Sequence, residues 1–315
     1  MRHIKWPENK DFAFTVIDDT DDAFLDNIKP IYNYLIKKSI ITTKSVWVYP
    51  TRDDVKGDSL LDQKYFEFVK CLKEKGFEII LHNVGSGFFN REEIIEGLKI
   101  FKQLFGYIPT MQVNHSRNPD NIYWGINRYS FIFKKFFKFL RLENFSFYGD
   151  DPDSNHFWGD YSKKHIQYFR NRDYHGINTL FFDPLMPFIE KSKEKFSNYW
   201  FSCSIGNNLK TFNSLLSKKN IDKLKEQKGC CIVYTHFGED FVDNNNNLNP
   251  EFIETIDYLS KQNGWFVPAG DILNFLKNNK SSDYVSGFYL FYLDLIWLIQ
   301  RIWIKVKKRI ESLSS

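Results

Sequence analysis

Cysteine is scarce in this chain, and the four present, Cys71, Cys203, Cys230 and Cys231, show neither zinc-ligand spacing nor a disulfide framework. Cys230 and Cys231 sit together in an apolar run and read as buried strand residues. No apolar segment follows Met1-Arg2-His3-Ile4-Lys5-Trp6-Pro7, so no secretory signal is read there. Both absences favour a reduced, cytoplasmic protein. Charge of one sign is also missing. A net charge of +4, with Lys and Arg dispersed until the C-terminus, argues against a nucleic-acid partner. An uninterrupted apolar run of about 20 residues, the length of a membrane span, is not found either. The most apolar stretch, residues 284–309, is broken by Asp294 and Gln300-Arg301.

What is present is an ordinary globular balance, 43% hydrophobic and 26% charged over 315 residues. That length can bury a substantial core as one large domain or two smaller ones. The aromatic share is high at 18%. An AT-rich compositional bias accounts for it more simply than a sugar-stacking cleft does.

The chain is organised around Phe12-Ala13-Phe14-Thr15-Val16-Ile17-Asp18-Asp19-Thr20-Asp21-Asp22, a strand-like run ending in adjacent acids. Alternation puts neighbouring strand side chains on opposite faces. If it relaxes at the strand end, Asp18 and Asp19 both turn into one pocket, where a cation or proton must separate them. An Asp-rich turn with a helix N-cap is the plainer alternative.

Strand and helix signals then alternate. Residues 24–38 have helical periodicity, 45–49 read as a strand, 60–75 as a helix closed by Gly76, and 77–82 as a strand ending on His82. A helix over 91–105 closes at Gly106, and a strand over 111–115 ends on His115. The middle is less regular: 131–140 reads as a helix, and 146–150 and 179–183 as short strands. Residues 229–236 form a buried strand tipped by His236. A helix at 250–262, a strand at 264–267 and a closing helix through Lys277 complete the pattern. His156, His165 and His175 read as loop residues and His3 as a disordered terminus. This rhythm predicts βαβ units with a parallel sheet, open or closed into a barrel. Catalytic groups of a barrel gather at strand C-termini, where Asp18, Asp19, His82 and His115 all fall.

These residues in this order resemble the NodB-like polysaccharide deacetylases, carbohydrate esterase family 4. The resemblance covers about residues 10–277. Thr15-Val16-Ile17-Asp18-Asp19 matches the family's opening Thr-Phe-Asp-Asp with one extra residue. His82, after Glu78-Ile79-Ile80-Leu81, matches the first histidine of the His-Ser/Thr-x-x-His motif, but Ser86 stands in place of the second. Arg117-Asn118-Pro119 loosely matches Arg-x-Pro, and Ile232-Val233-Tyr234-Thr235-His236 the late strand-histidine motif.

The resemblance implies an α/β fold, a distorted (β/α) barrel over residues 1–280; beyond it, the spacing of residues in 281–315 reads as an amphipathic C-terminal helix. It implies a metal-dependent N-deacetylase-like hydrolase of acetamido sugars in cell-surface polysaccharide (O-antigen or capsule) biosynthesis. Asp18 would be the general base, held ionised by Arg117, and His236 would protonate the leaving amine. Asp19 and His82 would bind a divalent metal, zinc being the first expectation, with His115 either replacing the missing ligand or serving as a structural histidine. Trp124, Tyr123 and Asn114 would contact the saccharide, carried on a nucleotide, a lipid or a polymer. Alternatives are an inactive saccharide-binding relative and a membrane-tethered scaffold. Residues 284–309, with Trp297, Trp303 and a basic end, suit a helix lying in a membrane surface, or one packed on the domain or a second protomer.

Overall fold

The computed structural model describes residues 4–141 and 146–313; His3 lies outside them. Strand β1, Phe12–Asp18, is buried along its whole length. That is the burial expected of a parallel strand covered on both faces. It pairs in parallel with β8, Cys230–Thr235, through six registered positions, from Ala13 opposite Cys230 to Asp18 opposite Thr235. On its other edge β1 meets β2, Thr43–Val46, only at Ile17 and Asp18.

From β2 the sheet continues through β3, Glu78–Leu81, β4, Met111–Gln112, β5, Tyr168–Tyr174, and β7, Tyr199–Ile205, to β8. All of these pairings are parallel, and they close a seven-stranded barrel. The narrow β1–β2 seam and a single β3–β4 pair, Leu81 with Gln112, make it a distorted one. Two short strands are added outside the ring: β6, Phe188–Ile189, runs antiparallel to β7, and β9, Gly264–Phe266, lies beside the start of β1.

The helices cover the ring through their apolar stripes. Helix α1, Leu25–Lys37, buries Ile28, Ile31, Tyr32 and Leu35. Helix α2, Gln63–Glu74, starts where Asp62 accepts the Tyr65 N–H. Helix α3, Arg91–Phe105, spans the residues its periodicity predicts; an Asn90/Glu93 capping box opens it and Gly106, at φ +82°, closes it. Helix α4, Phe131–Phe139, follows a 3-10 turn at Gly125–Arg128. Helices α5, Gly159–His165, α6, Thr179–Phe182, α7, Leu209–Leu215, α8, Lys218–Glu226, α9, Pro250–Ser260, and α10, Ala269–Asn278, complete the shell.

Three sequence expectations are corrected. Residues 179–182 form α6 and not a strand, 146–150 form no strand, and β5 and β7 stand in the stretch that read as irregular. Strand β5 is masked by its charges, Arg170, Arg172 and Asp173, each of which is partnered inside the fold.

The C-terminal helix α11, Gly287–Leu313, packs its first half on β5. Asp294, fully buried, pairs with Arg172 at 2.7 Å and accepts the Ser130 N–H. Farther along, Gln300 exchanges hydrogen bonds with the backbone of His175, and Arg301 pairs with Asp173.

Candidate active site and metal centre

Alternation survives to the end of β1, which separates the two adjacent acids. Asp18 points toward the helix layer. One carboxylate oxygen meets Lys44 Nζ at 2.9 Å and the Tyr32 hydroxyl at 2.7 Å; the other accepts the Phe237 N–H at 2.9 Å. Burial and this carboxylate push the Tyr32 hydroxyl well above its ordinary pKa. Asp18 therefore does not reach the cleft.

Asp19, one residue on, turns the other way. Arg170 of β5 clamps it with two bonds, Nη1 to Oδ1 at 2.8 Å and Nη2 to Oδ2 at 2.5 Å. Burial alone would raise the Asp19 carboxyl, but Arg170, with His82 and His236, holds it below the usual range. Asp21 lies beyond the strand, in a turn closed by the Ala23 N–H on the Thr20 carbonyl, and this turn brings its carboxylate into the same cleft as Asp19.

Asp21 is where the histidines converge. Its Oδ2 lies 3.0 Å from His82 Nε2 and its Oδ1 2.9 Å from His115 Nε2. The other nitrogen of each ring is already committed. His82 Nδ1 faces the Val113 carbonyl at 3.1 Å, and His115 Nδ1 faces Asn118 Oδ1 at 2.9 Å. Asn118 is fixed in turn by the Gly87 N–H and the Gly85 carbonyl. Trp47 stacks on His82 and meets His115 edge-on, closing the cluster from behind.

Each imidazole thus faces oxygen acceptors through both nitrogens, and a neutral ring can donate to only one. A divalent cation among Asp21, His82 and His115 would resolve that conflict, and the outer hydrogen bonds would then fix the tautomers that leave Nε2 free to ligate. The three donor atoms lie within 4.8 Å of one another. One carboxylate and two neutral imidazoles suit zinc-like metals and leave positions open for water. His115 is thus placed where it could serve as the third donor. Ser86 sits behind it, its hydroxyl donating to Asp53 and lying 3.4 Å from His115 Nδ1.

His236 follows β8 and joins the same cluster, where Asp19, Asp21 and His236 form a second set of donors within 4.8 Å of one another. Its Nδ1 faces the Asn207 carbonyl at 2.8 Å, and its Nε2 is 3.5 Å from Asp21 and 4.0 Å from Asp19. Burial would lower its pKa, but Asp19, Asp21 and Glu239 raise it. The cleft, of about 220 Å³, is also lined by Asn114, Trp124, Arg128, Asn171 and Asp173. A register shift between Arg170 and Asp173 against β7 brings Arg170, Asn171 and Asp173 all to the cleft. Asn171 is buried, and neither of its side-chain amide atoms has a hydrogen-bond partner.

The structure brings Asp19, His82, His115, His236, Trp124 and Asn114 to one cavity. It does not bring three other expected site residues there. Asp18 is consumed by Lys44 and Tyr32 as described. Arg117 is exposed and pairs with Asp54 at 3.3 Å, so the clamp on the carboxylate comes from Arg170 instead. Tyr123 packs against Phe196 and Trp200, and its N–H bonds Asp150. The donor joined to both histidines is Asp21, not Asp19. The sequence signals Asp21 only as a further acid of the cluster that follows β1; Arg170 is signalled only as one of the charges between Phe169 and Tyr174, which a buried strand must pair.

No protein-family model and no curated protein matches the sequence. Among solved structures the chain is similar to the PuuE allantoinase, at 12% identity over 89% of this chain and 94% of that one, with a TM-score of 0.53. It is also similar to a probable polysaccharide deacetylase from Pseudomonas aeruginosa PAO1, at 12% identity over 89% and 95% of the two chains, with a TM-score of 0.51. The resemblance to NodB-like polysaccharide deacetylases seen at the strand ends therefore holds for the architecture: this chain has their distorted (β/α) barrel.

Proposed function

We propose that the protein is a metal-dependent hydrolase that removes the acyl group from an acetamido sugar. The observation carrying this reading is the convergence of Asp21, His82 and His115 beside an Arg-clamped carboxylate, Asp19, with His236 Nε2 3.5 Å from Asp21. A divalent ion held by Asp21, His82 and His115, for which zinc is the best fit, supplies Lewis acidity to the amide carbonyl and lowers the pKa of water.

Asp19, kept ionised by Arg170, takes the proton of the attacking water. His236, with Nδ1 held on the Asn207 carbonyl, presents Nε2 to protonate the departing amine. Asn171 offers both an amide donor and an acceptor to the substrate. Trp124, backed by the Arg128 guanidinium at 4.6 Å, gives a sugar ring an apolar face. The finer reading is a role in cell-surface polysaccharide assembly at the inner face of the membrane. The two similar structures support the barrel on which this chemistry would stand; the chemistry itself rests on the cleft.

The test pairs metal analysis with release of acetate from N-acetylated hexosamine oligomers. Wild-type protein with one metal per chain and measurable acetate release, both lost in Asp21→Ala, is expected. A chain that takes up no divalent metal, or that keeps it after Asp21→Ala and His82→Ala, would overturn the reading.

A further inference from the structure

Helix α4 shows the protein only two of its phenylalanines, Phe133 and Phe137. Phe131, Ile132, Phe136 and Phe139 face outward, Phe139 at 84% exposure, interleaved with Lys134, Lys135 and Lys138. Its neighbour α11, reached through Phe133 and Phe291, repeats the pattern on a larger scale. Leu290, Leu293 and Asp294 face the barrel, while Phe288, Tyr292, Leu295, Ile299, Ile302 and Val306 form an exposed stripe at steps of four and three. Trp303, 68% exposed, widens it. Over its 27 residues the helix is about 40 Å long.

Charge decides what fits this surface. Residues 130–141 contain three lysines and one arginine and no acid; residues 287–310 contain a single acid, Asp294, which is spent on Arg172. Glu311, near the end of α11, is the one further acid of the two helices, so a second copy of the chain would bring mostly cations against cations. An anionic lipid surface complements both the charge and the apolar stripes, and Trp, Tyr and Phe favour that depth.

Residues 287–307 are long and apolar enough to cross a membrane, with a mean hydropathy of 1.2. The helix is nevertheless bound to β5 by Asp294, Gln300 and Arg301, and crossing would pull these charged contacts and the strand into hydrocarbon.

We infer that α4 and α11 together form a docking face for an anionic bilayer, on which the protein lies with α11 in the plane of the surface. The face is joined directly to the cleft. Arg128, which immediately precedes α4 but for two residues, pairs with Asp173, and Asp173 also pairs with Arg301 of α11. Arg128 and Asp173 both line the cavity. If the proposed function holds, on which this last step rests, the saccharide reaching the cleft is carried by a lipid anchor in the same bilayer.

Sedimentation of the full chain with vesicles tests the docking. Binding is expected on phosphatidylcholine mixed with phosphatidylglycerol, weakening by roughly tenfold or more on phosphatidylcholine alone or at high salt. A triple variant, Ile132→Ser with Phe136→Ser and Phe139→Ser, and a separate Ile299→Ser, Trp303→Ser pair should each lose roughly tenfold in partitioning with unchanged thermal unfolding. No vesicle binding by the wild type, equal binding by the variants, or a solution dimer that the variants split would overturn the inference. Metal uptake by these variants and vesicle binding by Asp21→Ala keep the two proposals apart: each should survive the other's loss.

Discussion

On the helix side of β1, Asp18 is enclosed by Lys44, Tyr32 and the Phe237 N–H; on the barrel side, Asp19 and Asp21 meet Arg170 and three imidazoles across a cleft. The acids are neighbours in sequence and share a buried strand end, yet one set is closed to ligands and the other is open to them. What separates them is parity. Each residue of extended chain reverses the face, so Asp19 stands apart from Asp18, and the turn that follows, closed by the Ala23 N–H on the Thr20 carbonyl, brings Asp21 to the side of Asp19. Each side also has its own cation, Lys44 outside and Arg170 inside, so neither carboxylate needs the other's counter-charge.

The largest expected effect breaks the chemical side. Asp19→Asn should lower turnover by about 10²–10⁴-fold, the range for loss of a general base, while divalent metal uptake persists; steady-state acetate release with parallel metal analysis measures both. The structural side should break in stability instead. Lys44→Met leaves Asp18 buried without its cation and should lower unfolding free energy by about 3–5 kcal/mol in denaturant titration, with metal uptake unchanged in the folded fraction.

A third buried acid, Asp120, sharpens the contrast, because no lysine or arginine pairs with it and only the His156 imidazole bears on its charge. Burial pushes Asp120 up to about 6, against the opposing bond from Asn83. Its folded pKa lies above the ordinary value of 3.8, so the folded state binds the extra proton in between, and stability falls as pH rises through that window. The penalty at neutral pH is roughly 3 kcal/mol. Asp120→Asn should remove it, so the stability gap between variant and wild type should open between about pH 4 and pH 8 in paired denaturation curves. Smallest is the outer support of the metal cluster. Asn118→Ala frees the His115 ring and should weaken metal affinity by about 10–100-fold in competition titration.

Much of the barrel could be read from the chain because β1, β3 and β8 are largely apolar runs and the helices between strands have clear stop signals, such as Gly106 after α3; β2, Thr43–Val46, begins two residues before the strand read at 45–49, because its Thr-Lys-Ser start is polar. The histidines at strand ends were legible for the same reason. Strand β5 was not, because Arg170-Asn171-Arg172-Asp173 looks like surface until its partners, Asp19, Asp294, Arg128 and Arg301, are known from three other regions of the chain. Arg117 was a local motif match, but its side chain lies at the surface beside Asp54. Asp18 would enter the site only if alternation relaxed at the strand end, and the bonds from Lys44 and Tyr32 show that it does not. The pairing of distant charges, rather than any short motif, decided which acid serves which face.

The central claim is that the metal belongs to Asp21, His82 and His115. Anomalous diffraction from crystals grown with zinc tests it most directly. A single peak within about 2.0–2.2 Å of the Asp21 carboxylate and the Nε2 atoms of His82 and His115 is predicted. A peak bonded to Asp18, or to Asp19 with Arg170 displaced, would contradict it.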